Sequence, residues 1–205
     1  MKVLIIDGSP RKGNCTYLIN ELTKTFNSYG VDTEIVKVGN QNINGCKACL
    51  YCSKNGKCIQ NDIVNETQEK FKEASGMILV SPVYYASPNG TLISFLDRFF
   101  YSSIVDKKMK VGASFAVARR GGTVSTFDVL NKYFTISGMP LVSGDYWNNG
   151  FGGKPGDILE DLEGLRNARE VAKRMVFLMK AISDAKDKYS DLLVSEERAR
   201  TSFIR

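Results

Sequence analysis

Four of the five cysteines in this 205-residue chain lie within one short segment, with the spacing C-x2-C-x2-C-x5-C. Four thiolates so close in sequence can converge on one metal centre. Ligands in consecutive C-x2-C steps are typical of iron–sulfur ligation, whereas structural zinc usually takes two separated pairs. A 4Fe-4S cluster, zinc and a reduced loop without metal are therefore the three interpretations of this segment. The candidate ligands are Cys46, Cys49, Cys52 and Cys58.

A second polar segment follows the first apolar run, residues 3–6, and leads into a helical pattern. It has the spacing G-x-x-x-x-G, but Asn14 and Cys15 stand where a nucleotide-binding P-loop needs Lys and Ser or Thr. No G-x-G-x-x-G occurs, which argues against a dinucleotide loop. Backbone N–H groups, hydroxyls and a helix N-terminus suit a monophosphate, and the alternative is an ordinary polar turn. The candidate phosphate contacts are Ser9, Arg11, Gly13, Asn14, Cys15 and Thr16.

Two tyrosines follow a third apolar run at residues 77–80, between two prolines. The prolines restrict the backbone, and the rings offer a flat wall on which a planar ligand can stack. The alternative is that both tyrosines pack under a neighbouring helix. The candidate ring contacts are Pro82, Val83, Tyr84 and Tyr85.

A further loop follows the apolar run at residues 111–118 and contains two arginines and two glycines. Paired glycines let the backbone approach a ligand closely, and N–H groups with a guanidinium stabilise negative charge on a bound ring. The alternative is a flexible turn with two solvated arginines. The candidate residues are Arg119, Arg120, Gly121 and Gly122.

The chain contains no histidine, which excludes a Ser-His-Asp triad, a Cys-His dyad and any metal site built on imidazole. The formal net charge is +6, but the positive residues are scattered. This distribution favours attraction of anionic cofactors over nucleic-acid binding. No apolar run approaches the roughly 20 residues of a membrane helix, and no cleavage site follows residues 3–6. We therefore expect a cytoplasmic protein with reduced cysteines and no membrane partner.

Apolar, β-branched runs alternate with helical patterns almost from end to end. Strands are predicted at 3–6, 31–38, 77–80, 111–118 and 139–142, and helices at 16–29, 62–74, 89–100, 126–136 and 157–181. This alternation predicts a parallel sheet with helices on both faces. Ligands of such sheets bind at the carboxyl ends of the strands, so the loops after the first, third and fourth strands are expected to meet there.

With these motifs identified, the chain resembles the flavodoxin-like NADPH-dependent FMN reductase family, and in particular its iron–sulfur flavoprotein branch. The matching segments are 8–16, 81–84, 97–98 and 119–122, together with the spaced cysteines. The resemblance extends to about the end of the long helix.

The resemblance implies a doubly wound, five-stranded parallel sheet of order 2-1-3-4-5, with FMN at its carboxyl edge. The predicted FMN-binding domain covers residues 1–182, with the cysteine-rich loop 45–60 inserted in it. The tail 183–205 is expected to pack on a partner subunit of a homodimer or homotetramer. Its apolar residues are Leu192, Leu193, Val194, Phe203 and Ile204.

The function so predicted is an FMN-dependent oxidoreductase that takes electrons from NAD(P)H or ferredoxin, with or without a cluster. The acceptor is expected to be a quinone, nitro, azo or enone compound. The flavin carries the reactivity, which fits a chain without histidine, and Tyr84 or Tyr85 is the candidate proton donor. The alternative is a passive flavodoxin-like electron carrier. A third class, a zinc-stabilised nucleic-acid-binding module, is disfavoured by the scattered charge.

Overall fold

Five parallel strands form the central sheet in the computed structural model, which describes residues 1–197, 199 and 201. A two-residue strand pairs antiparallel with one of them. The strands are β1 Lys2–Asp7, β2 Asp32–Lys37, β3 Gly76–Tyr84, β4 Ser87–Pro88, β5 Val111–Ala118 and β6 Asn149–Phe151. The helices are α1 Asn14–Ser28, α2 Tyr51–Asn55, α3 Ile63–Glu73, α4 Gly90–Ser102, α5 Thr123–Thr135 and α6 Leu162–Ala185, with short 3-10 turns at Asp157–Glu160 and Ser190–Leu193.

The strand order is β2-β1-β3-β5-β6, with β4 paired only to β3. Without β4, the parallel strands follow the predicted order 2-1-3-4-5, so the doubly wound parallel sheet is confirmed. The short antiparallel β4 was not predicted. It forms because the chain turns back on itself after β3 before it enters α4.

The fifth strand lies in a different part of the chain from the one predicted. Residues 139–142 form only an isolated bridge, between Leu141 and Gly112 at the start of β5. Pro140 has no N–H group with which to extend a ladder. The fifth strand is instead β6, which pairs with the end of β5 from Ala116 to Ala118. Its sequence, Asn-Gly-Phe, has no apolar run, so the pattern gave no sign of it.

The sheet is buried on both faces, as the continuous apolar runs predicted. Along β1, Val3 and Ile5 pack into one cluster with α1 and α6, while Leu4 and Ile6 pack into a second cluster with α3, α4 and α5. This sandwich fixes the carboxyl ends of the strands, and with them the loops that follow.

The last helix extends beyond the predicted domain boundary. α6 ends at Ala185, so residue 182 lies inside it. Leu192, within the final 3-10 turn, and Val194, just after it, are exposed. Phe203 and Ile204, the other apolar tail residues, lie outside the described residues. Among residues 1–197, 199 and 201, no helix is both long and apolar enough to cross a lipid bilayer.

Candidate functional site

The loop after β1 starts with a glycine held against the neighbouring strand. The N–H of Gly8 donates to the carbonyl of Val80 in β3 at 2.8 Å. A Cβ atom on Gly8 would lie 2.7 Å from Leu92 Cδ2 and 3.0 Å from the Val80 oxygen. Any larger residue would therefore push the loop away from β3. The glycine sets the position from which the following residues turn toward α1.

A buried carboxylate supports the next turn of this loop. The N–H of Ser9 donates to Asp7 Oδ1 at 2.9 Å, and the Ser9 hydroxyl donates to the carbonyl of Arg11 at 2.9 Å. Burial raises the pKa of the Asp7 carboxyl, and the Ser9 N–H opposes that rise. The loop is thus shaped by internal hydrogen bonds rather than left to be ordered by a ligand.

The start of α1 offers donors to an anion. Thr16 Oγ1 accepts from the N–H of Gly13 at 3.3 Å, which fixes the first turn. The N–H groups of Asn14 and Cys15 lie in the first turn of the helix, where no carbonyl of the helix can accept from them. Arg11 beside them is exposed, and the first turn contains no acidic residue. Unpaired N–H groups, a helix dipole and a guanidinium form a donor set that fits a phosphate group.

Two predicted phosphate contacts have side chains that are engaged elsewhere. Asn14 Oδ1 accepts from the N–H groups of Gly156 and Ile158 at 3.0 and 3.4 Å. Cys15 is 3% exposed within the apolar cluster under α1, and burial raises the pKa of its thiol to about 12. Only the backbone N–H groups of these two residues are therefore available to a phosphate, and their contact with it stays a prediction.

The two tyrosines lie on a tight hairpin between β3 and β4. Tyr84 pairs with Ser87, and the turn residues Tyr85 and Ala86 have φ values of 49° and 58°. Two left-handed residues in succession are typical of a type I′ turn, which usually takes Asn-Gly. Tyr84 is 44% exposed and Tyr85 is fully exposed, so neither ring packs beneath a helix. The rings are presented at the carboxyl edge, at the cost of a strained turn.

The loop after β5 contacts this hairpin. Gly122, with φ 88°, caps α5, and a Cβ on it would lie 2.9 Å from Ala86 Cα and 3.0 Å from Val83 Cγ1. The Ser125 hydroxyl donates to the carbonyl of Ala86 at 2.7 Å. Arg119, Arg120 and Gly121 are all exposed. The predicted meeting of these two loops is observed.

A fourth loop, after β6, completes the edge. A Cβ on Gly153 would lie 3.3 Å from Arg119 Cγ. Asp157 Oδ2 accepts from the N–H groups of Gly153 and Lys154 at 3.1 and 2.7 Å. The glycine-rich composition of this loop could have indicated that it belongs to the site, but the strand before it was not predicted. Through Asn14 and Arg119 it contacts the loops after β1 and β5.

The cysteine loop forms a separate cavity against α4. All four predicted ligands line it, together with Arg98 and Tyr101. Their thiols are free of disulfides. Ala48 and Leu50 have φ values of 51° and 56°, so the chain between the cysteines coils tightly. Four thiolates around one cavity are the type of ligand atoms that an iron–sulfur cluster takes.

No closed metal site is formed by the described residues, because no three or more Cys, Asp or Glu side chains are arranged to hold an ion. Cys46 and Cys49 are exposed, whereas Cys52 and Cys58 are partly buried. Cys15 lies in the core under α1 and does not line this cavity. The structure therefore brings the four predicted ligands to one cavity and separates the fifth cysteine from them.

Solved structures with a similar fold include, by their titles, a flavoenzyme and a flavodoxin. A flavone reductase superposes with a TM-score of 0.67 at 18% identity, over 90% of this chain and 65% of its own. The NAD(P)H:(acceptor) oxidoreductase FerB of Paracoccus denitrificans superposes with a TM-score of 0.67 at 14% identity, over 88% of this chain and 97% of its own. An archaeal flavodoxin superposes with a TM-score of 0.57 at 16% identity, over 85% of this chain and 99% of its own. At these identities the similarity shows the flavodoxin-like fold alone.

Sequence relatives are closer. An iron-sulfur flavoprotein of Methanocaldococcus jannaschii is 36% identical over 192 residues, which is 89% of this chain and 99% of the relative. One from Methanosarcina thermophila is 33% identical over 196 residues, or 92% and 100%. The family profile described as NADPH-dependent FMN reductase matches residues 1–154, which include β1 to β6 and end within the loop after β6. The chain therefore belongs to the NADPH-dependent FMN reductase family.

Proposed function

We propose that this chain is an FMN-dependent oxidoreductase that takes electrons from NAD(P)H or ferredoxin and delivers them to an organic acceptor. Quinone, nitro, azo and enone compounds are the proposed acceptor classes. The observation that carries the proposal is the meeting of four loops at the carboxyl edge of the sheet. These loops bring a helix N-terminus, two exposed aromatic rings and three exposed arginines to one side of the molecule.

Each loop has a proposed part in binding FMN. The phosphate would be held by backbone N–H groups at the start of α1 and by the side chains of Ser9, Arg11 and Thr16, with Gly13 allowing close approach. The isoalloxazine would lie against Pro82 to Tyr85. The Arg119 to Gly122 loop would donate to its pyrimidine edge and stabilise negative charge there.

Bound FMN supplies the hydride and electron chemistry, which no side chain of this chain can provide. The protein's own part is to orient the ring, to compensate its charge and to exchange protons. The exposed hydroxyls of Tyr84 and Tyr85 stand at the hairpin tip, where an acceptor would approach. We propose that one of them gives the acceptor its proton.

The cysteine loop is the proposed site of a 4Fe-4S cluster, bound by Cys46, Cys49, Cys52 and Cys58. Support comes from their shared cavity and from the relatives, which are named iron-sulfur flavoproteins. Exposed lysines in the same loop would offset the negative charge of four thiolates. They are Lys47, Lys54 and Lys57.

The proposed partners follow from these sites. An acidic ferredoxin would be attracted to the lysines of the cysteine loop. The tail from residue 183 is proposed to pack on a second copy of the chain in a homodimer or homotetramer. A reducing cytoplasm would keep all five thiols free.

Anaerobic purification followed by absorption spectroscopy and iron and sulfide analysis tests the proposal. We expect bound FMN, and NADPH oxidation that speeds up when a quinone is added. Reduction by ferredoxin, with neither NADPH oxidation nor turnover of an organic acceptor, would instead support a passive carrier. A protein that neither contains nor takes up FMN would overturn the proposal.

A matched pair of variants tests the phosphate loop. Arg11→Ala should weaken FMN binding about tenfold, because a charge-assisted contact is lost, and should leave riboflavin binding unchanged. Lys24→Ala, an exposed change on α1, is the control and should alter neither affinity. Equal loss of both ligands in the Arg11 variant would place the phosphate elsewhere.

A further inference from the structure

Arg98 is a fully buried cation on α4, directly beneath the cysteine loop, with 1% of its surface exposed. A buried guanidinium is tolerated only when its charge is paired and its N–H groups are hydrogen-bonded. Arg98 meets both conditions with five hydrogen bonds. Two of them form a fork to the carboxylate of Asp62, at 2.7 and 2.9 Å. Asp62 in turn caps α3 by accepting from the N–H of Val64.

The other three hydrogen bonds of Arg98 go to the cysteine loop. Its Nη atoms donate to the carbonyls of Asn44 at 3.2 Å and Gln60 at 3.0 Å. Its Nε donates to Cys58 Sγ at 3.3 Å. Asn44 precedes the first candidate ligand and Gln60 follows the last. One side chain therefore fixes both ends of the segment and one of its four sulfur atoms.

Cys58 is also held through its backbone. Its N–H donates to Asn65 Oδ1 at 3.0 Å, and Asn65 Nδ2 donates to its carbonyl at 3.0 Å. By contrast, Cys46 and Cys49 are exposed and lie in a stretch without helix or strand. The four candidate ligands are thus unequal: the backbone of Cys52 is held in α2, and Cys58 is the one whose sulfur atom accepts a hydrogen bond from the folded chain.

We propose that Arg98 is a positioning residue that holds Cys58 ready to bind the cluster and raises the cluster's reduction potential through the N–H···S bond. This inference rests on the cluster of the proposed function. Groups that orient and hydrogen-bond a ligand tune both metal affinity and redox potential. A donor to sulfur stabilises the negative charge that grows on reduction, so the potential rises. Only a guanidinium can serve the carboxylate, two carbonyls and a sulfur together.

The test compares Arg98→Lys, which keeps the charge and loses the fork, with Arg169→Lys as a matched control. Arg169 pairs with Glu21 between α6 and α1, on the opposite face of the sheet. FMN content reports whether each protein is folded. In metal-free protein, the alkylation rate of Cys58 relative to Cys46 is measured by peptide mass spectrometry. After anaerobic reconstitution, iron content and the cluster midpoint potential are measured, the latter by a redox titration monitored by EPR.

In Arg98→Lys we expect Cys58 alkylation to rise about tenfold relative to Cys46, and iron affinity to fall about tenfold. The remaining cluster should have a lower midpoint potential, while the control matches the wild type. Unchanged alkylation, iron content and potential would overturn the inference.

Two further outcomes are decisive. If the wild-type protein takes up no iron, the cluster of the proposed function fails, and the alkylation result alone decides whether Arg98 positions Cys58. If Arg98→Lys does not accumulate, Asp62→Asn replaces it. Asparagine still caps α3 but no longer pairs the charge of Arg98, so the same increase in Cys58 alkylation is expected. No increase in that variant would reject the positioning role.

Discussion

The side-chain oxygen of Asn14 accepts a hydrogen bond from the backbone N–H of Gly156 at 3.0 Å, across 142 positions of sequence. It also accepts from the N–H of Ile158 at 3.4 Å. The first residue of α1 thereby fixes the loop after β6 against the proposed phosphate loop. The two loops form one structural unit, although they lie at opposite ends of the family match.

Substitution of Asn14 tests this connection. Asn14→Ala leaves two backbone N–H groups without their acceptor and should destabilise the protein by about 1–3 kcal/mol in urea denaturation. Asn14→Asp retains an acceptor and should keep stability, but should weaken FMN binding because a carboxylate repels the phosphate. Asn20→Ala, an exposed change on the same helix, is the control. If Asn14→Ala proved as stable as this control, the hydrogen bonds of Asn14 would not contribute to the free energy of unfolding.

Gly122 allows the loop after β5 to meet the tyrosine hairpin. Gly122→Ala places a Cβ 2.9 Å from Ala86 Cα at a φ of 88°, so we expect a loss of at least about 1 kcal/mol of stability. FMN binding should weaken in parallel. Gly121→Ala is the control, since a Cβ there meets no atom within 4 Å. Equal melting temperatures for the two variants would contradict the close approach.

Tyr85 is expected to lower the stability of the fold and to support turnover. Its φ of 49° is unfavourable for tyrosine, so Tyr85→Gly should raise the free energy of unfolding by about 1 kcal/mol. Loss of the ring should lower turnover with a quinone. Tyr85→Phe keeps the ring and the strain, so its turnover reports the hydroxyl alone. A Gly variant that is less stable than wild type would show that the turn is not strained.

Asp7 should make stability depend on pH. Burial raises its pKa above the ordinary value of 3.8. A carboxyl whose pKa is higher in the folded state than in the unfolded state stabilises the fold while it is protonated. This stabilisation is complete below the pKa of the unfolded state and is lost as pH rises through the pKa of the folded state. Asp7→Asn, which keeps the acceptor for Ser9, should therefore be more stable than wild type at pH 7. The difference should shrink as pH is lowered toward 4, as urea denaturation at several pH values will show.

The sequence predicted those parts of the fold that depend on local pattern. Continuous apolar runs such as Val3 to Ile6 mark buried strands, and the helical pattern at 62–74 corresponds to α3, which Asp62 caps. Asn149–Phe151 was missed because its pairing with β5 is decided by tertiary contacts and not by an apolar period.

The same limit applies to the candidate site. The spacing of polar residues after β1, β3 and β5 predicted loops that meet. The spacing could not show that Cys15 faces the core or that Asn14 bonds to Gly156, because both depend on the rotation of α1 about its axis. Arg98 matched the family pattern, yet its five hydrogen bonds go to four residues that precede it by 36 to 54 positions, which a linear motif does not display.

The hydrogen bonds from Arg98 to the carbonyls of Asn44 and Gln60 bear on how the cysteine segment can evolve. Since both ends are fastened to one side chain of α4, insertions or deletions at residues 45–57 need not disturb the sheet. The segment behaves as a cassette with fixed boundaries. Engineered chains could therefore carry a different segment between these boundaries while the carboxyl edge of the sheet stays unchanged.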